Sequence, residues 1–266
     1  MGEFFGYFFR LILLTIGTFV GCGLIVRICS RIFNSLTGNN AGKIFDVTST
    51  IGTPIHELGH AAMCLVFGHK IVEMKLWIPP AQRTDGTAGY VSHQWTKNNV
   101  WKSLGNLFIG LGPIFSGLGV VVLMLWICFP DQWSAYLETS SNILAQPDVS
   151  IPDIFVGVFS LFKSIPAAFA DHWFRSLIGL IVIFAVSMHI DLSGADIKGS
   201  LSAIPIYLFL IAIVAIPTYL LHWNEAIDHF LVLLNMRMLS LFCIVIAFAV
   251  LWVLLALIIR LIRNIF

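Results

Sequence analysis

The sequence predicts an all-α polytopic membrane protein with six transmembrane helices, or seven if one ambiguous stretch also crosses, and a small β-hairpin inserted between the second and third. Three observations carry that prediction. Hydrophobic residues make up 58% of the chain and charged residues only 11%, with a mean hydropathy of +0.92, whereas a soluble domain is about 45–50% apolar and about 25% charged. Apolar runs near the length of roughly 20 residues needed to cross a bilayer core recur throughout. No polar block is large enough to form a separate soluble domain, so residues 1–266 read as a single integral membrane unit. The formal charge of +1 is too balanced to suggest a nucleic-acid partner; the lipid bilayer is the partner that the composition implies.

Taken in order, the runs lie at 8–29, 44–68, 103–129, 174–190, 197–221 and 238–259, most of them flanked by Arg, Lys or Trp at interfacial positions. The first, "MGEFFGYFFRLILLTIGTFVGCGLIVRIC", continues to Arg27 without a small-residue cleavage site and reads as a retained span. Gly6 stands where a myristoylation motif wants Ser or Thr. Between the second and third runs, "VEMKLWI" alternates and "TDGTAGYVSH" carries turn residues, which predicts a hairpin packed over the helices. Residues 130–152 are polar and loop-like. Residues 154–170 are apolar but interrupted by Lys163 and Pro166, as expected of an interfacial segment or of a seventh span. Five scattered cysteines suit buried thiols better than disulfides. With six spans, Lys and Arg divide nine to six in favour of the side holding both termini and the 70–100 loop, which leans that side towards the cytoplasm.

The chemistry concentrates in "TPIHELGHAAMCLVFGHK", residues 53–70. His56 and His60, four apart, project from one face of a helix about one turn from each other, the spacing at which two imidazoles grip one metal ion. Glu57 beside them suits a general base, because a bound metal lowers the pKa of water from 15.7 to about 7. With eight histidines in the chain, this H-E-x-x-H pattern arises by chance in roughly 0.5% of chains of the same composition. The membrane setting adds weight, since an uncompensated charge at the centre of a span costs about 2.5–3.5 kcal/mol on insertion scales and a metal offsets it. Gly59, without a side chain, lets another backbone come close. Cys64 one turn further reads as an apolar packing residue, and His69 and His93 as loop or span-edge histidines with ordinary hydrogen-bonding roles.

A catalytic zinc site takes three protein donors and leaves one position open. The third donor is sought in "SMHIDLSGADIKGS", residues 187–200, which sets His189, Asp191 and Asp196 between two apolar runs. Ser193 or Gly194 can start the following helix, placing Asp196 in its first turns with a fixed direction. Asp196 is the preferred donor, His189 suits a supporting or substrate-contacting role, and Asp191 is the weaker competitor. Ser193, Asn106 and Pro113 are further candidates for supporting the donors or contacting substrate.

"HELGHAAMCLVFG", a Gly-rich hairpin region, "LGPIFSG" at 111–117 and a late Asp-bearing loop and helix together resemble the site-2 protease family of intramembrane zinc metallopeptidases, and in particular its compact bacterial branch. The resemblance covers about residues 44–215, so that the core lies at 44–221 and the runs at 8–29 and 238–259 are peripheral. It implies one zinc ion per chain on His56, His60 and Asp196, with Glu57 as catalytic base. It also implies a membrane-embedded protein or peptide as substrate, a peptide bond in or near a transmembrane segment as the target, and a bacterial cytoplasmic membrane as the location. Imidazole and carboxylate donors suit zinc but also admit iron or cobalt. This chain has "ADIKG" where the family usually ends a run in Leu-Asp-Gly, and Ser116 where it usually has Asn. The competing readings are a non-catalytic metal-binding or scaffold protein and a metal or proton transporter built on the same His/Glu/Asp cluster. Connectivity supplies a check. With six spans, the helices bearing His56 and Asp196 run in opposite directions and meet only if the 190–196 loop is buried or unwound; if 154–170 also crosses, both start on one side.

Overall fold

The computed structural model describes residues 2–84, 86–96, 98–146 and 149–265. Helix α1 (Gly2–Ile12) continues through a π-turn at Leu13–Gly17 into α2 (Thr18–Thr37), and α3 (Ala41–Val66) follows. Strands β1 (Lys70–Lys75) and β2 (Tyr90–Gln94) form an antiparallel pair in which Ile71 faces His93 and Lys75 faces Tyr90, with a register shift between Ile71 and Glu73. Then come α4 (Val100–Cys128), α5 (Pro130–Leu144), α6 (Ile151–Ser187), α7 (Gly194–Leu201), α8 (Ile204–Leu220) and α9 (Asn224–Ile265). Among the described residues the regular structure is therefore helical apart from one two-stranded hairpin.

Four stretches, Gly2–Thr37, Val100–Cys128, Ile151–Ser187 and Asn224–Ile262, are long and apolar enough to cross a membrane; α7 and α8, which meet at 52°, make a fifth if they form one broken span. The expected count of six or seven is not what length and composition give, for two physical reasons. Helix α3 is long enough at 26 residues but carries Asp46, Thr48, Ser49, Thr50, Thr53, His56, Glu57 and His60, so its apolarity falls short. Runs 154–170 and 174–190, expected to be separate, are two helices that adjoin without a linker at His172, where φ is −144° and ψ is 60°, so that Ile151–Ser187 counts as one stretch by length and composition. The Ser176 hydroxyl donates to the Ala168 carbonyl at 3.0 Å, although residues eight apart on a straight helix are about 12 Å apart. The chain thus bends sharply there.

Residues 130–144, expected to be loop, form α5. Pro130 and Asp131 suit the first turn of a helix. Trp133 and Tyr136 bury its inner face, and the Tyr136 hydroxyl donates to Ser240 Oγ at 2.9 Å on α9. The hairpin stands where the alternating pattern predicts, though Asp85 of its Asp-Gly turn lies outside the described residues. Gly86 has φ of 82°, a left-handed conformation that glycine adopts without strain. Arg83 pins the connection between the strands to α3. Its guanidinium reaches Asp46 Oδ1 at 2.7 Å and Ser49 Oγ at 3.0 Å, its Nε donates to the Ile78 carbonyl, and it lies over the Phe45 ring.

Helix α4 is the hub. Leu107, Leu111, Ile114, Leu118, Val121 and Leu125 recur at three- and four-residue spacing and are all buried. Between helices in lipid, where apolar burial drives little, close packing and small residues supply the cohesion. Gly59 of α3 and Gly112 of α4 meet backbone to backbone, and a Cβ added at Gly112 would lie 2.6 Å from the Gly59 carbonyl carbon. Behind this contact the segment linking α6 to α7 is buried, with His189, Ile190 and Leu192 at 7%, 2% and 3% exposure. Its burial brings the first turn of α7 to the middle of α3.

Replacing Gly112 or Gly59 by Ala should force α3 and α4 apart and cost about 1–3 kcal/mol, the usual penalty of overpacking. Gly119→Ala on the same helix, where an added Cβ meets nothing within 4 Å, should be neutral or slightly stabilising. Thermal unfolding midpoints in detergent measure both; equal midpoints for the two classes would contradict the close crossing.

Candidate metal centre

One turn of α3 presents His56 and His60 on a shared face, and each ring is fixed from behind by a main-chain carbonyl. His56 Nδ1 lies 2.7 Å from the His189 carbonyl oxygen, and His60 Nδ1 lies 2.7 Å from that of Ile109. A carbonyl only accepts, so both Nδ1 atoms carry the proton. In the neutral rings both Nε2 atoms then offer bare lone pairs, and these face each other at 3.2 Å.

The third donor comes from α7. Ser193 caps this helix: its hydroxyl accepts from the Asp196 amide at 3.1 Å, while Asp196 Oδ2 accepts from the Ser193 amide at 2.7 Å. The reciprocal pair fixes the carboxylate, and Asp196 Oδ1 lies 3.2 Å from His60 Nε2 with Oδ2 3.8 Å from His56 Nε2. Gly110 on α4 is what admits α7 so closely, since a Cβ there would stand 2.6 Å from the Asp196 carbonyl oxygen.

Two imidazole lone pairs and a carboxylate therefore converge with no hydrogen-bond donor among them in the neutral-ring state. Such a trio repels itself until a proton or a metal cation enters. Tetrahedral coordination at about 2.0–2.1 Å requires donor atoms about 3.3 Å apart; the two Nε2 atoms are 3.2 Å apart and Asp196 Oδ1 is 3.2 Å from His60 Nε2, while one atom from each of the three residues can be chosen with all of them within 4.8 Å of one another. The donor set and its spacing fit a divalent metal ion. Among the described residues, this is the one group of three His, Cys, Asp or Glu side chains gathered closely enough to hold such an ion.

The cluster opens on a cavity of about 500 Å³, whose walls include Glu57 of α3, Tyr90 and His93 of β2, and Asn106 of α4. Glu57 is 6% exposed, beside the two histidines and outside the three-donor group. Of the other sequence candidates, Ser193 caps α7 and lines the cavity, and Asn106 lines it too. His189 contributes its carbonyl to His56, while its ring hydrogen-bonds Ala185 O at 2.9 Å and packs against Phe45, off the cavity wall. Asp191 and Pro113 belong neither to the donor group nor to the cavity lining. Cys64 is fully buried and outside the group.

The histidines read as ordinary, His69 and His93, turn out to be joined. Their Nδ1 atoms are 2.9 Å apart, and His69 Nε2 lies 2.7 Å from the Lys102 carbonyl oxygen. Trp95 stacks on His69. Burial pushes both imidazoles below the ordinary histidine pKa, so both are neutral at pH 7. The signal for their meeting is the strand register, which pairs His93 with Ile71 two residues after His69; nothing in local spacing announces it.

No protein-family model, curated protein or solved structure matches the chain.

The purified protein should carry one divalent ion per chain. His60→Ala or Asp196→Ala should lose it while keeping helical content. Adding metal to chelator-treated wild type should raise its unfolding midpoint, by about 2.7 kcal/mol in stability at one hundred times the dissociation constant, and leave these variants unmoved. Elemental analysis and thermal unfolding provide the check.

Proposed function

We propose that this chain is an intramembrane metallopeptidase that hydrolyses a peptide bond in or near a membrane-spanning segment of another protein or peptide. The observation that carries the reading is the convergence of three acceptor atoms, spaced for one metal ion, on a cavity wall that also bears the buried carboxylate of Glu57. A divalent metal, zinc by preference for two imidazoles and a carboxylate, supplies Lewis-acid polarisation of a carbonyl and acidifies water. His56, His60 and Asp196 would hold it.

Glu57 then acts as general base. It takes a proton from water as the water oxygen bonds to the substrate carbonyl carbon, and delivers that proton to the amide nitrogen as the carbon–nitrogen bond breaks. The products are a carboxylate and an amine. Tyr90, Val91 and His93 of β2 line the cavity, and an extended peptide could lie beside this strand by strand addition. Helical peptides satisfy their own amides, so a substrate must unwind locally before its carbonyl is accessible.

The donor cluster by itself supports a second reading as directly: a membrane protein that binds a metal without hydrolysing anything, as a scaffold or as a carrier of metal or protons. That reading asks nothing of Glu57. The two readings part on one variant. Glu57→Gln should retain the ion and lose cleavage of a membrane-embedded reporter by about 10²–10⁴-fold. Undiminished cleavage by the variant excludes Glu57 as base, and absence of cleavage by metal-loaded wild type favours the second reading.

A further inference from the structure

Asn106 occupies the α4 face that turns towards the donor cluster, three residues before Ile109, whose carbonyl orients His60, and one turn before Gly110. It is 7% exposed, lines the cavity, and its side-chain amide has no hydrogen-bond partner among the described residues. Buried amides are ordinarily hydrogen-bonded. On an accessible cavity wall this amide presents both a donor and an acceptor.

His93 reaches the same cavity from the hairpin. The Lys102 carbonyl only accepts, so the proton of His69 sits on Nε2. The neutral His69 ring then accepts at Nδ1, which makes His93 Nδ1 the donor of the 2.9 Å bond and leaves His93 Nε2 a bare acceptor. Lys102 and Asn106 are one turn apart on α4, so a single helix end anchors both groups.

We propose that Asn106 and His93 form an amide-binding subsite beside the candidate metal centre, in which the Asn106 side chain donates to a substrate carbonyl oxygen and His93 Nε2 accepts a substrate N–H. The ligand class is the backbone of an unwound peptide segment, and calling it a substrate rests on the peptidase reading. An ester has no N–H, so the subsite favours peptide over the ester linkages of the surrounding lipid. His69 is a positioning residue that sets the proton of His93.

The test measures binding in the Glu57→Gln protein in detergent, by the immediate change in fluorescence anisotropy on mixing, before any cleavage can accumulate, so its outcome is independent of whether Glu57 proves to be the base. The probe is a fluorophore-labelled membrane-spanning Leu/Ala peptide with a central Gly-Gly pair, together with its counterpart bearing ester links at that pair. Adding Asn106→Ala or His93→Ala should weaken binding of the amide peptide about threefold to tenfold, with metal content and unfolding midpoint retained. The parent should bind the amide peptide more tightly than the ester, and His93→Ala should bind the two alike. His93→Gln, which keeps an acceptor, should recover part of the discrimination. ¹⁵N NMR of histidine-labelled protein should show His93 protonated at Nδ1, and His69→Ala should abolish that preference. Unchanged affinity in both Ala variants, equal binding of amide and ester by the parent, loss of metal in either variant, or a His93 proton found on Nε2 would overturn the proposal.

Discussion

Everything in this protein that suggests chemistry depends on three acceptors being forced together. His56 and His60 cannot relieve their mutual repulsion by turning, because each Nδ1 is committed to a carbonyl on a different segment. Asp196 cannot swing away, because its other oxygen closes the α7 cap. The fold holds two imidazoles and a carboxylate close enough to share one metal ion, and this constraint explains features that otherwise look unrelated. These include the glycine contact between α3 and α4, the buried segment before α7, and the carbonyls of Ile109 and His189 turned on imidazoles.

The arrangement is distributed along the chain, which determines how much of it could be read beforehand. The histidine pair and Glu57 lie within five residues of one helix, so periodicity alone gives their common face. Asp196 was legible as a first-turn carboxylate, since Ser193 announces the cap. The carbonyls behind the rings lie 49 and 133 residues from their partners and belong to the backbone, which carries no sequence signature. His69 and His93 escaped for a similar reason: a single histidine at a span edge says nothing until strand pairing sets its neighbour.

Errors in the helical layout have the same origin. Apolarity along a run measures what the run can face, and it ignores what covers it. Helix α3 has the length of a span but is too polar to be counted as one, yet it is packed into the centre against α4. Helix α5 reads as polar loop because only Trp133 and Tyr136 point inward, and two aromatics in fifteen residues make a weak periodic signal. The break at His172 falls in the polar Asp171-His172 step between two apolar runs, and the 3.0 Å bond between Ser176 and Ala168 adds what the sequence does not show, how sharply the chain turns there.

The order of causes at the centre follows from these contacts. If cation binding alone drew α7 against α3 and α4, the contacts around it would be loose. Instead Gly110 admits the Asp196 backbone sterically, the Ser193 cap directs the carboxylate, and the Arg27 guanidinium donates to the Leu192 carbonyl just ahead of the helix. Packing and hydrogen bonds that involve no ion therefore hold the three donors together. A site assembled in this way loses little freedom when it binds, so more of the intrinsic attraction between ion and donors is expressed as affinity. The same rigidity holds Glu57 next to the centre and keeps the cavity polar on one wall within an apolar bundle, which is the setting in which a carboxylate and water can act on a bound amide.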